Sequence, residues 1–228
     1  MKRKKGLFIV FDGTDGSGKA TQTELLVKKL EEEGHKVEKI DFPQYGKKSA
    51  ALVEEYLRGG YGTAEEVGPY RASIFYACDR YAAGVKIQKW LRDGKIVIAN
   101  RYVTANMGHQ GGKIKKKSER KKYFEWLHNL EYKIFEISKP DINLILHVEA
   151  EIAQKLALKK RKKRYLKSNK ADIHELDLKH LKNAEKIYIE IAEMMPDILL
   201  IECMKGENLM SKRDVGELVW NKVVKFLA

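Results

Sequence analysis

The sequence predicts an α/β fold of three layers, in which a five-stranded parallel sheet is flanked by helices. Three observations indicate this fold class. Helix-like and strand-like segments alternate along the 228 residues. The strand-like segments are apolar runs, such as residues 96–99 and 142–146, as expected for strands covered on both faces. A glycine-rich turn at residues 13–18 joins the first strand to a helical pattern.

The individual elements follow from these patterns in order. The predicted strands are residues 7–12, 36–42, 96–100, 142–148 and 198–202. The predicted helices are residues 20–33, 49–57, 69–93, 119–137, 150–166, 173–195 and 211–227. Gly34 and Gly94 are placed to end two of these helices. Because ligands of such sheets bind beyond the carboxyl ends of the strands, residues 12–19, 42–43 and 100–101 are expected at the binding edge.

Length and composition indicate one soluble domain over residues 1–228. The hydrophobic fraction of 43% is ordinary for a globular protein, and no apolar stretch is long enough to span a bilayer. The basic start, residues 1–5, precedes an apolar run that is too short for a signal peptide. Cys78 and Cys203 lie far apart within apolar patterns, which favours thiols in a reducing cytoplasm over a disulfide.

The formal charge of +13 allows two interpretations. Basic runs at residues 115–117, 121–122 and 159–164 could bind a nucleic-acid backbone. The runs are not interleaved with a stacking platform of aromatic residues, however. We therefore favour a solvated surface that attracts polyanionic nucleotides, over a nucleic-acid partner.

The turn after the first strand carries the strongest functional motif. Gly13, Gly18 and Lys19 have the spacing Gly-x-x-x-x-Gly-Lys, so backbone N–H groups, the N-terminus of the next helix and an ammonium group converge on one point. An ordinary strand-to-helix loop is the alternative, but it does not account for the lysine. The pattern predicts a P-loop nucleotide site formed by Gly13, Thr14, Asp15, Gly16, Ser17, Gly18, Lys19, Ala20 and Thr21.

Several further segments narrow the class of P-loop protein. Phe42-Pro-Gln-Tyr ends the second strand, Tyr76-Ala-Cys-Asp-Arg lies on a long helix, Asn100-Arg-Tyr ends the third strand, and Asn106-Met-Gly-His-Gln follows. Together with the loop these segments resemble the thymidylate kinase family, whose members phosphorylate dTMP with ATP. The resemblance covers nearly the whole chain. It implies a P-loop NTPase fold with a mobile basic lid at about residues 155–175, ATP and Mg²⁺ as ligands, and a cytoplasmic homodimer.

The resemblance also implies roles around the phosphates. Asp15 is expected near the sugar 3′-hydroxyl and the acceptor phosphate, although a turn-stabilising aspartate is the alternative. Ala20 stands where a hydroxyl normally binds Mg²⁺, and the hydroxyl comes one residue later, at Thr21. Asp12, Asp15 and Thr21 are therefore the candidate metal residues, with Asp12 alternatively capping the strand end.

The substrate residues that the resemblance implies lie on three segments. Phe42 and Pro43 are expected beside the deoxyribose. Tyr76 is expected to stack on thymine and Arg80, one helical turn later, to contact a base carbonyl, although aromatic residues at helical spacing more often belong to the core. The remaining implied substrate residues are Arg101, which clamps the phosphoryl groups, Tyr102, His109 and Gln110.

Two departures from the family pattern leave questions open. Asn100 replaces the acid that usually precedes the arginine, and His109 replaces an aromatic residue beside the base. The loop has no basic residue at Gly16 or Ser17, so the resemblance implies that Arg161 or Arg164 of the basic lid supplies the catalytic charge. Residues 172–175 and Tyr188 resemble the segment that returns from the lid.

Three alternatives to a dTMP kinase stay open at this point. Another nucleoside monophosphate or deoxynucleoside kinase on the same fold is the nearest, because His109 alters the base site. The changes at Ala20 and Asn100 would suit a pseudo-kinase that binds nucleotide without transfer. The basic charge alone would suit a nucleotide-dependent nucleic-acid-binding protein.

Overall fold

A computed structural model describes residues 6–165 and 177–227. Its main sheet has five parallel strands in the spatial order β2-β3-β1-β4-β5. The strands are β1 Phe8–Asp12, β2 Val37–Asp41, β3 Ile96–Asn100, β4 Ile142–His147 and β5 Ile198–Glu202. The predicted α/β fold with a parallel sheet is confirmed. Each predicted strand is present, with ends that differ by at most one residue.

Eight α-helices are found in the described part of the chain. They are α1 Lys19–Glu32, α2 Ala51–Leu57, α3 Ala64–Arg92, α4 Val103–Gly111, α5 Lys117–Asn129, α6 Ala150–Tyr165, α7 Leu178–Met194 and α8 Lys212–Val223. Short 3₁₀ turns precede α2 and follow α8, at Lys48–Ala50 and Val224–Phe226. A small antiparallel hairpin, β6 Met204–Lys205 with β7 Asn208–Leu209, follows β5.

Three elements differ from the sequence prediction. Helix α4 was not predicted, because its glycines and Asn106 disfavour a helix, whereas in the fold it is almost entirely buried and packs against α7. Helix α3 has a kink at Gly68, whose φ of 72° and ψ of 168° are not helical, directly before the predicted start at Pro69. A short additional segment from Ala64, with a capping box formed by Thr63 and Glu66, precedes the kink. The predicted helix 119–137 ends at Asn129 and continues as a π-helical turn, Leu130–Ile134.

The central strand β1 explains why the sheet has helices on both faces. All five of its residues are buried, and the four apolar ones alternate between two hydrophobic clusters. Phe8 and Val10 pack with residues of α3, α4, α5 and α7, whereas Ile9 and Phe11 pack with residues of α1 and α8. A sheet buried on both sides exposes only its strand ends, so the carboxyl edge is the surface left for a ligand.

Two smaller predictions can be compared with the fold. Cys78 and Cys203 are both free thiols, with Cys203 buried and Cys78 half-buried. In residues 6–165 and 177–227 no helix has the length and apolarity to cross a membrane.

Candidate functional site

The glycine-rich loop connects β1 to α1 at the carboxyl edge of the sheet. Gly13, Gly16 and Gly18 have φ angles of 131°, 89° and 92°, a region that residues with a side chain rarely adopt. A Cβ at Gly16 would lie 1.9 Å from the carbonyl oxygen of Ala153 in α6. The loop therefore depends on glycine both for its backbone turn and for its contact with α6.

The N-terminus of α1 has the properties of an anion site. Its N-cap residue is Gly18, which has no side chain to satisfy the first N–H groups, whereas Thr63, Asp177 and Ser211 cap α3, α7 and α8. Lys19 Nζ donates to the carbonyl oxygens of Gly13 at 3.0 Å and Thr14 at 2.8 Å. N–H donors, the helix dipole and an ammonium group are thus directed at one place, which fits a phosphate chain.

A cavity of about 850 Å³ extends along this edge. It is lined by residues of α1, α2, α3, α4, α6, α7 and α8 and by the carboxyl ends of β2 and β3. The predicted site residues that line it are Asp15, Gly16, Ser17, Gly18, Lys19, Ala20, Thr21, Phe42, Pro43, Tyr76, Arg80, Arg101, His109 and Gln110. The structure therefore brings most of the predicted donor and acceptor residues into one space.

Asp12 lies beneath the loop and does not line the cavity. Its side chain is fully buried, and neither carboxylate oxygen has a hydrogen-bond partner of good geometry among the described residues. Burial raises the pKa of Asp12 to about 6, against the opposing effect of the Arg101 and Lys19 charges. The hydroxyls of Thr14 and Ser17 are also buried without a described partner, so polar groups around the loop remain to be satisfied.

Arg101 follows β3 and faces the loop. Its φ of 64° is unfavourable for a residue with a side chain, and its backbone N–H donates to Phe11 O at 2.8 Å. The guanidinium donates from Nη2 to Asp15 Oδ1 at 2.5 Å and contacts His109 Nε2 through Nη1 at 2.8 Å. Backbone and side chain are thus both fixed at the cavity wall.

Electrostatics reinforce this arrangement. Burial alone would raise the pKa of Asp15, but the Arg101 and Lys19 charges outweigh burial and hold that pKa far below its usual range. Burial lowers the pKa of Arg101 in turn, yet the Asp15 carboxylate more than compensates and raises it. The pair is therefore fully charged at neutral pH.

His109 contacts a second histidine that the sequence did not single out. His109 Nδ1 lies 3.1 Å from His180 Nε2 of α7, and the two rings lie edge to edge with centroids 5.3 Å apart and planes 20° apart. Burial lowers the pKa of His109 well below 6.5 and that of His180 to about 4. Both imidazoles are therefore neutral at pH 7.

Arg80 forms a buried ion pair. It is 2% exposed and Glu131, in the π-helical turn, is 0% exposed. Arg80 Nε donates to Glu131 Oε1 at 3.0 Å and to Oε2 at 3.1 Å, and Nη2 also contacts Oε1. The predicted contact of Arg80 with a base stays a prediction, but the structure adds Glu131 as the residue that holds Arg80 at the cavity wall.

The segment after β2 is fastened to α3. Asp79 Oδ2 accepts from the Gln44 backbone N–H at 2.8 Å, and Oδ1 accepts from Gln44 Nε2 at 3.0 Å and Ser49 Oγ at 2.6 Å. This holds the Phe42–Pro43 corner, whose peptide bond is cis, against the cavity.

Asn100 is part of a side-chain network. Thr23 Oγ1 donates to Asn100 Oδ1 at 2.6 Å, and Asn100 Nδ2 donates to Asp41 Oδ1 at 2.6 Å. The second bond joins neighbouring positions of β2 and β3. The amide uses one donor and one acceptor, a role that a carboxylate could not fill in both directions.

The start of α6 is anchored by His147 at the end of β4. His147 Nδ1 lies 2.7 Å from Glu202 Oε2, and Nε2 lies 2.9 Å from Glu185 Oε1. Hydrogen bonding to Glu185, and then to Glu202, raises the pKa of His147 to about 9. Glu185 also accepts from the Ala150 backbone N–H at 3.0 Å, so this cluster fixes the first turn of α6 beside the loop.

The remaining predicted residues are placed in the core or lie outside the described part of the chain. Tyr102 does not line the cavity: it is buried in the core and its hydroxyl donates to Ser138 O at 3.1 Å, so its predicted substrate contact is not supported. The backbone of α6 carries Arg161 and Arg164, but their side chains lie outside the described part, as do residues 172–175. Tyr188 is buried and packs edge-on to His109, with centroids 5.8 Å apart.

Among residues 6–165 and 177–227, no group of three or more His, Cys, Asp or Glu side chains is arranged to hold a metal ion. A cation at this site would need further oxygen ligands from a bound nucleotide or water. Thr21 lines the cavity and could contribute its hydroxyl to such a site, whereas Asp12 is buried beneath the loop and does not reach the cavity in this structure. Asp15 is already paired with Arg101.

Comparisons with known proteins agree with this geometry. A family model described as thymidylate kinase matches residues 11–212. A probable thymidylate kinase of Thermococcus kodakarensis is 31% identical over 204 residues, covering 87% of this chain and 90% of that protein. A thymidylate kinase of Mycobacterium tuberculosis is 31% identical over 148 residues, covering 64% of this chain and 68% of that protein. A solved structure of thymidylate kinase from Candida albicans superposes with a TM-score of 0.70 at 21% identity, covering 97% of this chain and 92% of that one.

Proposed function

The chain belongs to the thymidylate kinase family of nucleoside monophosphate kinases, and we propose that it transfers the γ-phosphoryl group of ATP to dTMP. The observation that carries this proposal is the position of Arg101. It faces the phosphate loop across Asp15 and is fixed within the same cavity as the predicted base residues. An arginine at this place can contact donor and acceptor phosphates together.

The donor half of the reaction is assigned to the loop and α1. The ATP phosphates would lie on the uncapped N–H groups after Gly18, with Lys19 exchanging its carbonyl contacts for phosphate oxygens. The acceptor half is assigned to Phe42, Pro43 and Tyr76 around the sugar and base, with Arg80 donating to a base carbonyl. Donor and acceptor are thus assigned to different residues of the same cavity.

The chemistry is an in-line displacement at phosphorus. A phosphate oxygen of dTMP forms the new bond to the γ-phosphorus, the bond from that phosphorus to the β–γ bridging oxygen breaks, and ADP leaves. The dTMP phosphate is largely ionised at neutral pH, so no side chain is needed as a general base. The protein supplies alignment and positive charge.

Mg²⁺ would neutralise charge on the transferring phosphates when bound. We assign its protein contact in the cavity to Thr21, with phosphates and water as the other ligands, whereas Asp12, buried beneath the loop, would act on the cation through its charge. Asp15, which the sequence also indicated, would need to leave Arg101 to take part. Turnover is expected to stop in EDTA and to resume when excess Mg²⁺ is added.

The lid arginine is assigned to α6. This helix passes directly beside Gly16, and Ala157 lines the cavity. Positions 161 and 164 follow Ala157 at the i+4 and i+7 spacing of one helical face. Arg161 or Arg164 would then stabilise the charge that develops on the transferring group.

The test of this function is a panel of acceptors with ATP: dTMP, dUMP, dCMP, dGMP and thymidine. The proposal expects the highest kcat/KM for dTMP and no transfer to thymidine, which lacks the attacking phosphate. A preference for a different monophosphate would assign another kinase of the same fold. Tight ATP binding without transfer to any acceptor would indicate a pseudo-kinase.

The homodimer and the cytoplasmic location stay predictions. Helix α3 has exposed apolar side chains at Tyr70, Tyr81 and Val85, which suit a contact face between two copies. Sedimentation of the purified chain would measure its oligomeric state.

A further inference from the structure

A chain of side-chain contacts crosses the inner wall of the cavity from the loop to α7. It runs from Asp15 to Arg101 at 2.5 Å, from Arg101 to His109 at 2.8 Å, and from His109 to His180 at 3.1 Å. All four residues line the cavity. His180 lies in the first turn of α7.

The donors and acceptors of this chain can be assigned. An arginine guanidinium has only donors, so His109 Nε2 must accept from Arg101 Nη1. The proton of the neutral His109 ring is then on Nδ1, which donates to His180 Nε2. The acceptor on His180 therefore selects the one tautomer of His109 that can hold Arg101.

Packing fixes the two rings in this relation. The rings lie edge to edge with planes 20° apart, so the hydrogen bond lies close to both ring planes, and Tyr188 of α7 packs edge-on against His109. Beneath them, a Cβ at Gly108 would lie 2.5 Å from the Tyr188 ring, so α4 and α7 approach closely there. His109 has little freedom to turn once His180 is in place.

We propose that His180 is a positioning residue for phosphoryl transfer, which acts through the tautomer of His109 to hold Arg101 toward Asp15 and the acceptor phosphate. The proposal rests on the proposed function, because it assigns Arg101 to the phosphate groups. It connects the start of α7 to the arginine that aligns the reaction. Nothing in the family motifs of the sequence pointed to His180.

The first test compares His180→Leu, which removes the acceptor, with His180→Gln, which keeps an acceptor oxygen. Loss of one neutral hydrogen bond predicts that His180→Leu lowers kcat/KM for dTMP roughly three- to tenfold, with KM for ATP unchanged. His180→Gln should recover most of the loss. His35→Gln, at a histidine that does not line the cavity, is the matched control and should match the wild type. Equal losses in both His180 variants would overturn the proposal.

The second test asks whether His180 acts through Arg101. In an Arg101→Lys background, which lacks the planar fork, His180→Leu should cause no further loss. Independent, multiplicative losses would overturn the proposal. If Arg101→Lys alone leaves the rate of transfer unchanged, the proposed function of Arg101 is wrong. If Arg101→Lys lowers the rate but His180→Leu in the wild-type background does not, only the proposed role of His180 is wrong.

A measurement on the wild type keeps the proposal testable if His180→Leu does not fold. Nitrogen-15 NMR of the imidazoles distinguishes the two neutral tautomers. The proposal expects His109 to carry its proton on Nδ1 in the ligand-free protein. A proton on Nε2 would overturn it, because that nitrogen could not accept from Arg101.

Discussion

The Arg80–Glu131 pair gives the most demanding prediction, because both charges are buried. Replacing Glu131 by Gln keeps the shape of the side chain but leaves the Arg80 charge 2% exposed and without its counter-ion. Removing one partner of such a pair costs about 3–5 kcal/mol in free energy of unfolding. With a urea m-value of about 1–3 kcal/mol per molar, the midpoint of unfolding should fall by about 1 M or more.

Urea unfolding followed by circular dichroism measures this shift. The control is Glu32→Gln, since Glu32 is 63% exposed and 3.7 Å from Lys28, and its loss should cost at most about 0.5 kcal/mol. A Glu131→Gln variant within about 1 kcal/mol of the wild type would refute the reasoning.

A double variant separates stability from substrate choice. Arg80→Met with Glu131→Leu removes both charges and should recover much of the stability. If Arg80 contacts a thymine carbonyl, the double variant should still lose its preference for dTMP over dCMP. Retention of that preference would remove Arg80 from the base site.

Two further predictions concern the loop and the start of α6. Gly16→Ala should abolish ATP binding, measured by calorimetry, because its Cβ would lie 1.9 Å from Ala153 O. Gly34→Ala, with a φ of 83° and open space around the Cβ, should cost only backbone strain of about 1–2 kcal/mol in urea unfolding. Equal effects of the two variants on ATP binding and on stability would contradict the account. The pKa of His147, about 9 in the folded protein, lies above its ordinary 6.5, so its stabilisation is complete below about pH 6.5 and lost as pH rises through about 9. Urea unfolding between pH 6 and pH 10 should show a steeper loss for the wild type than for His147→Gln, and parallel curves would exclude this role.

The parts of the site that could be predicted from the sequence are local in the chain. The phosphate loop depends on glycines and a lysine within seven residues, Gly13 to Lys19, so spacing alone identifies it. Phe42, Tyr76 and Arg101 were placed through short motifs at strand ends or on one helix. These motifs line one cavity at the carboxyl ends of the strands, which is where a parallel α/β sheet binds its ligands.

The remaining parts depend on contacts between residues distant in sequence. Glu131 lies 51 positions after Arg80, in a π-helical turn that the hydrophobic periodicity of the sequence did not predict. His180 lies 71 positions after His109. Helix α4 exists because it is buried between neighbours, against its own propensities. Partners of this kind become visible only when the topology is known.

The changes at Ala20 and Asn100 together suggested an altered metal site, and the structure explains the change at Asn100 but not the change at Ala20. The Asn100 amide accepts a hydrogen bond from Thr23 and donates one to Asp41, so this network requires a side chain with both an acceptor and a donor. Ala20 lines the cavity beside Thr21, while the unsatisfied carboxylate of Asp12 lies beneath the loop. Binding of Mg²⁺ at this edge stays a prediction, in which phosphates and water supply most of the ligands.

The central claim is transfer of the γ-phosphoryl group of ATP to dTMP at this loop. The direct measurement is product analysis with γ-labelled ATP, Mg²⁺ and dTMP, using the wild type and Lys19→Ala side by side. The account predicts dTDP that carries the label on its β-phosphate with the wild type, and a rate reduced to background with Lys19→Ala. Absence of labelled dTDP with the wild type, or an unchanged rate with Lys19→Ala, would contradict it.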